Sequence, residues 1–251
     1  MRFIPSWAQA IELAEMKVQF STKLPFISNR AMLVIRSPES EIVLLKILID
    51  SRNSSNNTQH RDIIESALLR GGLIRSQHTA FTQLIDHRWT TFGLVTLNEY
   101  IQNSYPLAKL GCLRLDRLVN LCIRICDAIL HIHQNSSFHG DISLTNIIVN
   151  DQDEIHIVDY DLADPVPSIF RTSYSTKQKY WTTLEARQMA DIRSLELIVI
   201  KLLNSNTHRD CHQSDEMIDD ATSLLRKIKQ LPADSSALLR LKRFQSVLCE
   251  F

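Results

Sequence analysis

The chain has 251 residues, 44% hydrophobic and 22% charged, enough to bury a sizeable core in one large domain or two tightly joined lobes. Lys+Arg and Asp+Glu both count 28, so the formal net charge is zero, which argues against nucleic-acid binding through bulk charge. Only five residues are glycine (Gly71, Gly72, Gly93, Gly111 and Gly140), and no spacing among them matches G-x-x-x-x-G-K-S/T or G-x-G-x-x-G, so phosphate loops of those two kinds are excluded.

The leading stretch MRFIPSWAQAIELAEMKVQF is not a secretory signal, because Glu12 and Glu15 interrupt any apolar run. It reads as an amphipathic helix. Ser6 and Gln9 have capping-box spacing, and Trp7, Ile11, Ala14 and Val18 share one face. AMLVI (31–35) and EIVLLKILI (41–49) read as strands around the turn signal SPES. SRNSSNNTQ (51–59) reads as an exposed loop, and a helix is expected at about 60–70 with Ile63, Ile64, Ala67 and Leu68 inward. TAFTQLI (79–85) and TTFGLVTL (90–97) are the next strand candidates.

A long helix is expected at 114–134, where Leu118, Leu121, Cys122, Ile125, Ile129 and Ile132 recur at intervals of three and four. NIIVN (146–150) and EIHIVD (154–159) then read as a hairpin about Asp151–Asp153. Residues 162–184 are irregular and rich in Ser, Thr, Pro and Tyr, and helices are expected at 188–203, 214–230 and 235–249. The pattern is α+β. A small β-rich N-terminal part (1–97) carries an extra leading helix, and a larger helical part (98–251) follows. No uninterrupted run of 18 apolar residues is present, so no transmembrane segment is expected.

The five cysteines (Cys112, Cys122, Cys126, Cys211 and Cys249) are scattered without C-x-x-C and fit a reducing cytosol better than a disulfide scaffold. Cys122 and Cys126 lie within the apolar stripe of the long helix, so core packing is favoured over zinc ligation with His131 and His133. His208, Cys211 and His212 fall in a polar stretch and read as loop.

The chemistry concentrates in SFHGDISLTNIIVNDQDEIHIVDYDLAD (137–164). Asn146 opens the hairpin and Asp159 closes it, so both side chains meet at one open edge, joined there by Asp161. Two carboxylates and an amide make a hard-oxygen site suited to Mg²⁺. Asp141, five residues before Asn146, is placed to accept a proton from an attacking hydroxyl. His139 reads as structural, packing beneath the metal motif.

His139-Gly140-Asp141-x-x-x-x-Asn146 resembles the catalytic loop of the protein kinase-like superfamily, and Asp159-Tyr160-Asp161 resembles its metal-binding D-F-G. Asp191-Ile-Arg-Ser-Leu-Glu-Leu resembles the start of the helix that anchors that loop. VLLKIL (43–48) resembles the strand bearing the phosphate-pairing lysine, which would be Lys46, with Glu65 as its ion-pair partner. LVTLNEY (94–100) resembles the inter-lobe hinge. The resemblance implies a bilobal fold and an ATP- and Mg²⁺-dependent Ser/Thr protein kinase acting on a protein substrate. Lys46 would meet the α/β-phosphates, and Asn146 and Asp159, with Asp161, the metal. Asp141 would deprotonate the acceptor, and the backbone about Thr96, Leu97 and Asn98 would face adenine.

The departures carry information too. Gly140 replaces the arginine that commonly reads an activation-loop phosphate, which argues against switching by phosphorylation there. The turn over the phosphates, Ser28-Asn29-Arg30, lacks glycine, so weaker nucleotide use or completion by an activating protein partner is expected. The reduced C-terminal part resembles the minimal kinases of some bacterial effectors, which would act in the cytoplasm of their own cell or of a host. HGD with D-x-D is also similar to aminoglycoside and choline phosphotransferases. A pseudokinase acting through a partner is the third alternative.

Overall fold

The computed structural model describes residues 30–36, 42–49, 58–90, 93–111, 113–160, 183–206, 215–232 and 236–251. The expected leading helix, Ser28 and Asn29, Asp161, the irregular stretch that follows it, and the cluster of His208, Cys211 and His212 lie outside the described residues.

The first part is a four-stranded antiparallel sheet with one helix. Strands β1 (Arg30–Arg36) and β2 (Ile42–Ile49) precede helix α1 (Thr58–Ser76), and β3 (Leu84–Thr90) and β4 (Gly93–Glu99) follow it. The order is β1-β2-β4-β3. β4 lies inside the sheet, and its Leu94, Val95 and Leu97 are wholly buried. α1 is longer than its apolar pattern suggests and runs through Gly71 and Gly72. A glycine pair costs a helix about 2 kcal/mol relative to alanine, yet here Gly71 sits against the Tyr160 ring.

The second part is mostly helical. Strand β5 (Ser104–Pro106) and a 3-10 turn (Leu107–Lys109) lead to α2 (Leu115–Gln134). β6 (Ile147–Asn150) and β7 (Ile155–Ile157) form the expected hairpin, and α3 (Leu184–Asn206), α4 (Asp215–Lys229) and α5 (Ala237–Leu248) complete the order. β5 pairs with β6 to make a second, three-stranded sheet, β5-β6-β7. The class is α+β, as the element pattern implies.

α2 is the axis of the helical part. Leu118, Leu121, Ile125, Ile129 and Ile132 are buried against α3 and α5. Each such side chain contributes roughly 1.5–3 kcal/mol on burial. Cys122 and Cys126 share that core, and burial pushes the Cys122 thiol up to about 12. Thr183 Oγ1 caps α3 by accepting the Ala186 N–H at 3.1 Å. Arg240 on α5 grips Glu196 on α3 with Nε and Nη2, at 2.6 and 3.0 Å.

One expected strand shifts along the chain. The apolar segment 79–85 was expected to pair, but the ladder begins at Leu84 and carries Asp86, His87 and Arg88 through to Thr90. Thr79–Thr82 instead turn inward toward the second sheet. Ala80 accepts the Ile157 N–H at 2.6 Å, and Phe81 forms a parallel bridge to Ile157. This junction ties the segment after α1 to strand β7.

Candidate active site

The site grows from one buried carboxylate. Asp191, near the middle of α3, is 1% exposed. Its Oδ2 accepts the His139 N–H at 2.7 Å, and its Oδ1 accepts the Gly140 N–H at 2.7 Å. His133 on α2 donates to Oδ2 through Nε2 at 3.2 Å. Asp191 therefore holds the loop after α2 by its backbone, with the His139 side chain buried and Asp141 exposed. Gly140 adopts φ +80°, a left-handed conformation that disfavours any side chain, while giving its N–H to Asp191.

His139 clamps the same loop to the hairpin. The Asp141 N–H donates to its Nδ1 at 3.2 Å, so the proton sits on Nε2, which donates to the Val158 carbonyl at 2.9 Å. The expectation that this histidine is structural agrees with these bonds. Tyr160 packs on the His139 ring at 5.9 Å and on Phe81 at 5.5 Å between centroids. Its hydroxyl donates to Ser137 Oγ at 2.8 Å, and burial pushes its phenol up to about 12.

Asp141 and Asn146 are hydrogen-bonded to each other, and the hairpin register brings the Asp159 backbone to the same end. Asp141 is exposed, and Asn146 Nδ2 donates both to its backbone carbonyl and to its Oδ2, each at 2.9 Å. The Asn146 carbonyl accepts the Val158 N–H at 2.9 Å, beside the Ile147–Ile157 pair, which sets Asn146 and Asp159 at one open end of the hairpin. Asp159 takes φ +64°, a costly conformation for a residue with a side chain. With both Asn146 amide protons committed to Asp141, its Oδ1 is the atom left for a hard cation. A carboxamide oxygen and a carboxylate carried at one end of the hairpin are the donor types that suit Mg²⁺.

The remaining expected residues lie on the sheet and α1. Lys46 stands on β2, in register with Met32 on β1 and Thr96 on β4; its side chain lies outside the described residues. Glu65 on α1 accepts the Trp89 Nε1–H at 2.9 Å, and the Arg61 guanidinium lies 5.2 Å over the Trp89 ring.

Thr96, Leu97 and Asn98 lie within the sheet. They pair with Lys46, Leu45 and Leu44 on one side and with His87, Asp86 and Leu84 on the other. Their backbone belongs to an interior strand, and Asn98 Nδ2 bonds Thr96 Oγ1 at 3.0 Å within the core. The first backbone past this ladder is at 100–103.

The protein kinase domain model matches residues 28–249. The chain belongs to the protein kinase domain family. The match runs from just before β1 into the end of α5, so it takes in the sheet and the whole helical part. A protein of Acanthamoeba polyphaga mimivirus named "Putative serine/threonine-protein kinase" is 26% identical over 200 residues, covering 71% of this chain and 70% of that protein. Within this kinase domain, no helix among the described residues is long and apolar enough to cross a membrane.

Proposed function

We propose that this kinase domain is an active phosphotransferase that moves the γ-phosphoryl group of ATP to a serine or threonine hydroxyl of a protein. The observation that carries the reading is the placement of Asp141. Its carboxylate is solvent-facing and oriented by Asn146 Nδ2 at 2.9 Å, on a loop whose backbone Asp191 fixes from within. A merely structural aspartate gains nothing from being exposed on so firmly held a loop.

Asp141 accepts the proton of the acceptor hydroxyl as the new O–P bond forms and the bond to the leaving diphosphate breaks. Asn146 holds that carboxylate toward the acceptor. Mg²⁺, held by Asn146 Oδ1 and Asp159 with Asp161, would supply neutralisation of the phosphate charge. Lys46 pairs with the α/β-phosphates in this reading. Glu65 keeps one oxygen for Lys46 while Trp89 occupies the other. The backbone at 100–103, rather than 96–98, faces adenine.

A protein acceptor is favoured over a metabolite because β5 and one 3-10 turn are the only elements among the described residues between β4 and α2. No helical segment there encloses a small acceptor. The relative's printed name points the same way. The test is incubation with γ-labelled ATP, Mg²⁺, a cell lysate and a metabolite panel, with Asp141→Ala as control. Label in protein bands that disappears with Asp141→Ala is expected. Label in a metabolite would reassign the acceptor. Absence of any Asp141-dependent label, with no Mg·ATP-dependent rise in Tm that Asp159→Ala abolishes, would mark a non-catalytic module.

A further inference from the structure

A histidine stands in the turn after α1 that is hydrogen-bonded to β7. His78 Nδ1 accepts the Ala80 N–H at 3.1 Å, and the Ala80 carbonyl in turn accepts the Ile157 N–H at 2.6 Å. The Val158 carbonyl, one residue beyond β7, accepts His139 Nε2–H, and His139 Nδ1 holds the Asp141 N–H. A continuous series of hydrogen bonds and peptide units thus runs from His78 through Val158, the residue before Asp159, to Asp141. Its first member accepts through a ring nitrogen, which requires that nitrogen to be unprotonated.

The surroundings of His78 oppose its charging. From α2, the His131 ring lies 5.1 Å away between centroids, with its own Nε2 bonded to the Ile74 carbonyl at 3.0 Å. Asp127 and Arg124 on α2, and Glu154 and His156 on the β7 side, line with His78 a cavity of about 340 Å³. Gln245 on α5 donates to Asp127, and Arg124 donates to the Asp153 carbonyl, so both charges are already engaged. At the end of α1, the Arg75 carbonyl accepts the His78 N–H at 3.1 Å. Burial, and then His131, hold the His78 imidazole below its usual 6.5, against a smaller opposing pull from Asp127. The cavity leaves the ring within reach of solvent protons.

We propose that His78 is a positioning residue for β7: as a neutral imidazole it fixes the turn that holds Ile157, and protonation at Nδ1 releases that hold and misplaces Asp159. The effect on phosphoryl transfer rests on the function proposed above, but the effect on the hydrogen-bond series does not.

Two variants separate the acceptor from the titration. His78→Asn supplies an oxygen near the position of Nδ1 that accepts at every pH. His78→Phe keeps a ring and has no acceptor. The readouts are amide exchange at Ile157, corrected for intrinsic rate, and kcat with KM for ATP, between about pH 7.5 and 5.5. In the native protein, Ile157 exchange rises about fivefold with acid, the value of one lost hydrogen bond. His78→Asn is flat and protected, and His78→Phe is unprotected throughout. kcat falls in step with exchange, while KM for ATP moves less than about twofold.

A native-like acid response in His78→Asn overturns the proposal, as does native protection in His78→Phe. Exchange that behaves as expected with kcat unmoved overturns the positioning role. Absence of phosphoryl transfer in every variant, the native protein included, refutes the proposed function instead, and the exchange data still decide whether His78 holds the turn.

Discussion

Replacing Asp191 by alanine tests the framework on which the site stands. Three donors converge on this carboxylate: the main-chain N–H groups of His139 and Gly140 at 2.7 Å, and His133 Nε2 at 3.2 Å. Hydrogen bonds to a charged acceptor contribute about 1.5–3 kcal/mol each, and stranded buried donors cost about as much. Part of that sum is offset because burying the carboxylate is itself unfavourable. The expected net loss is about 3–5 kcal/mol, the range for removing one partner of a buried charged group. In a chain of this size each kcal/mol lowers Tm by roughly 2–4 °C, so Asp191→Ala should melt about 6–20 °C lower.

Asp191→Asn keeps one acceptor oxygen but turns an NH₂ toward a backbone N–H, so a loss of about half that size is expected. Urea unfolding followed by far-UV circular dichroism, with a single transition, gives the stability difference directly. A loss below about 1 kcal/mol for Asp191→Ala would refute the claim that this carboxylate anchors the loop.

Three further outcomes are expected. A Cβ added at Gly72 meets nothing within 4 Å, so Gly72→Ala should stabilise by about 0.5–1 kcal/mol. Gly111, at φ +61°, should lose about 1–2 kcal/mol on the same change, and unfolding curves for the two variants should shift in opposite directions. Burial holds both His78 and His156 below their usual 6.5, so the unfolded chain binds protons that the folded chain refuses. Stability is therefore complete above about pH 6.5 and falls as the solution is acidified through that value; a flat Tm between neutral pH and about pH 5.5 would contradict it. Tyr160→Phe strands the buried Ser137 hydroxyl and should cost about 1 kcal/mol in urea unfolding while preserving the ring stack with Phe81 and His139.

The parts of the structure legible in the sequence are those where side-chain pattern and environment coincide. α2 shows its 3.6-residue stripe because one face meets α3 and α5 while Arg117, Arg124 and Asp127 remain outside. The hairpin of β6 and β7 is readable because apolar runs end abruptly at Asn146 and Asp159, where polar groups are worth their cost. β3 was misplaced because it is an edge strand. Asp86 to Arg88 satisfy its backbone pairing without an apolar alternation, and the apolar residues before them are used elsewhere: Phe81 packs on Tyr160 and His131. β5, three residues long, offers no period to detect. Thr96 to Asn98 look like the end of a strand from one side only. Their pairing with β3 is non-local and closes off the backbone that sequence order seemed to expose.

The scarcity of glycine has a physical counterpart in the backbone. Among the described residues, Asn103, Ser136, Asp153 and Asp159 all take positive φ, between 48 and 64°. Short polar side chains tolerate this region better than others because they bond locally to the backbone. Asp153, for instance, also receives Arg117 through Nε at 3.0 Å, so the left-handed turn gains an ion pair that glycine would not supply. The chain thus turns corners with side chains that do further work. Asp159 is the strongest case, since the residue that strains the backbone is also the one expected to bind the metal. Gly111 and Gly140 are the described glycines at positive φ, and at Gly140 the reason is visible. Its N–H must reach the buried Asp191 at 2.7 Å while φ is +80°, where any side chain would be strained. Glycine stands at the loop after α2 where the backbone N–H itself makes the anchoring bond, and short polar residues stand at the turns where a side chain bonds as well.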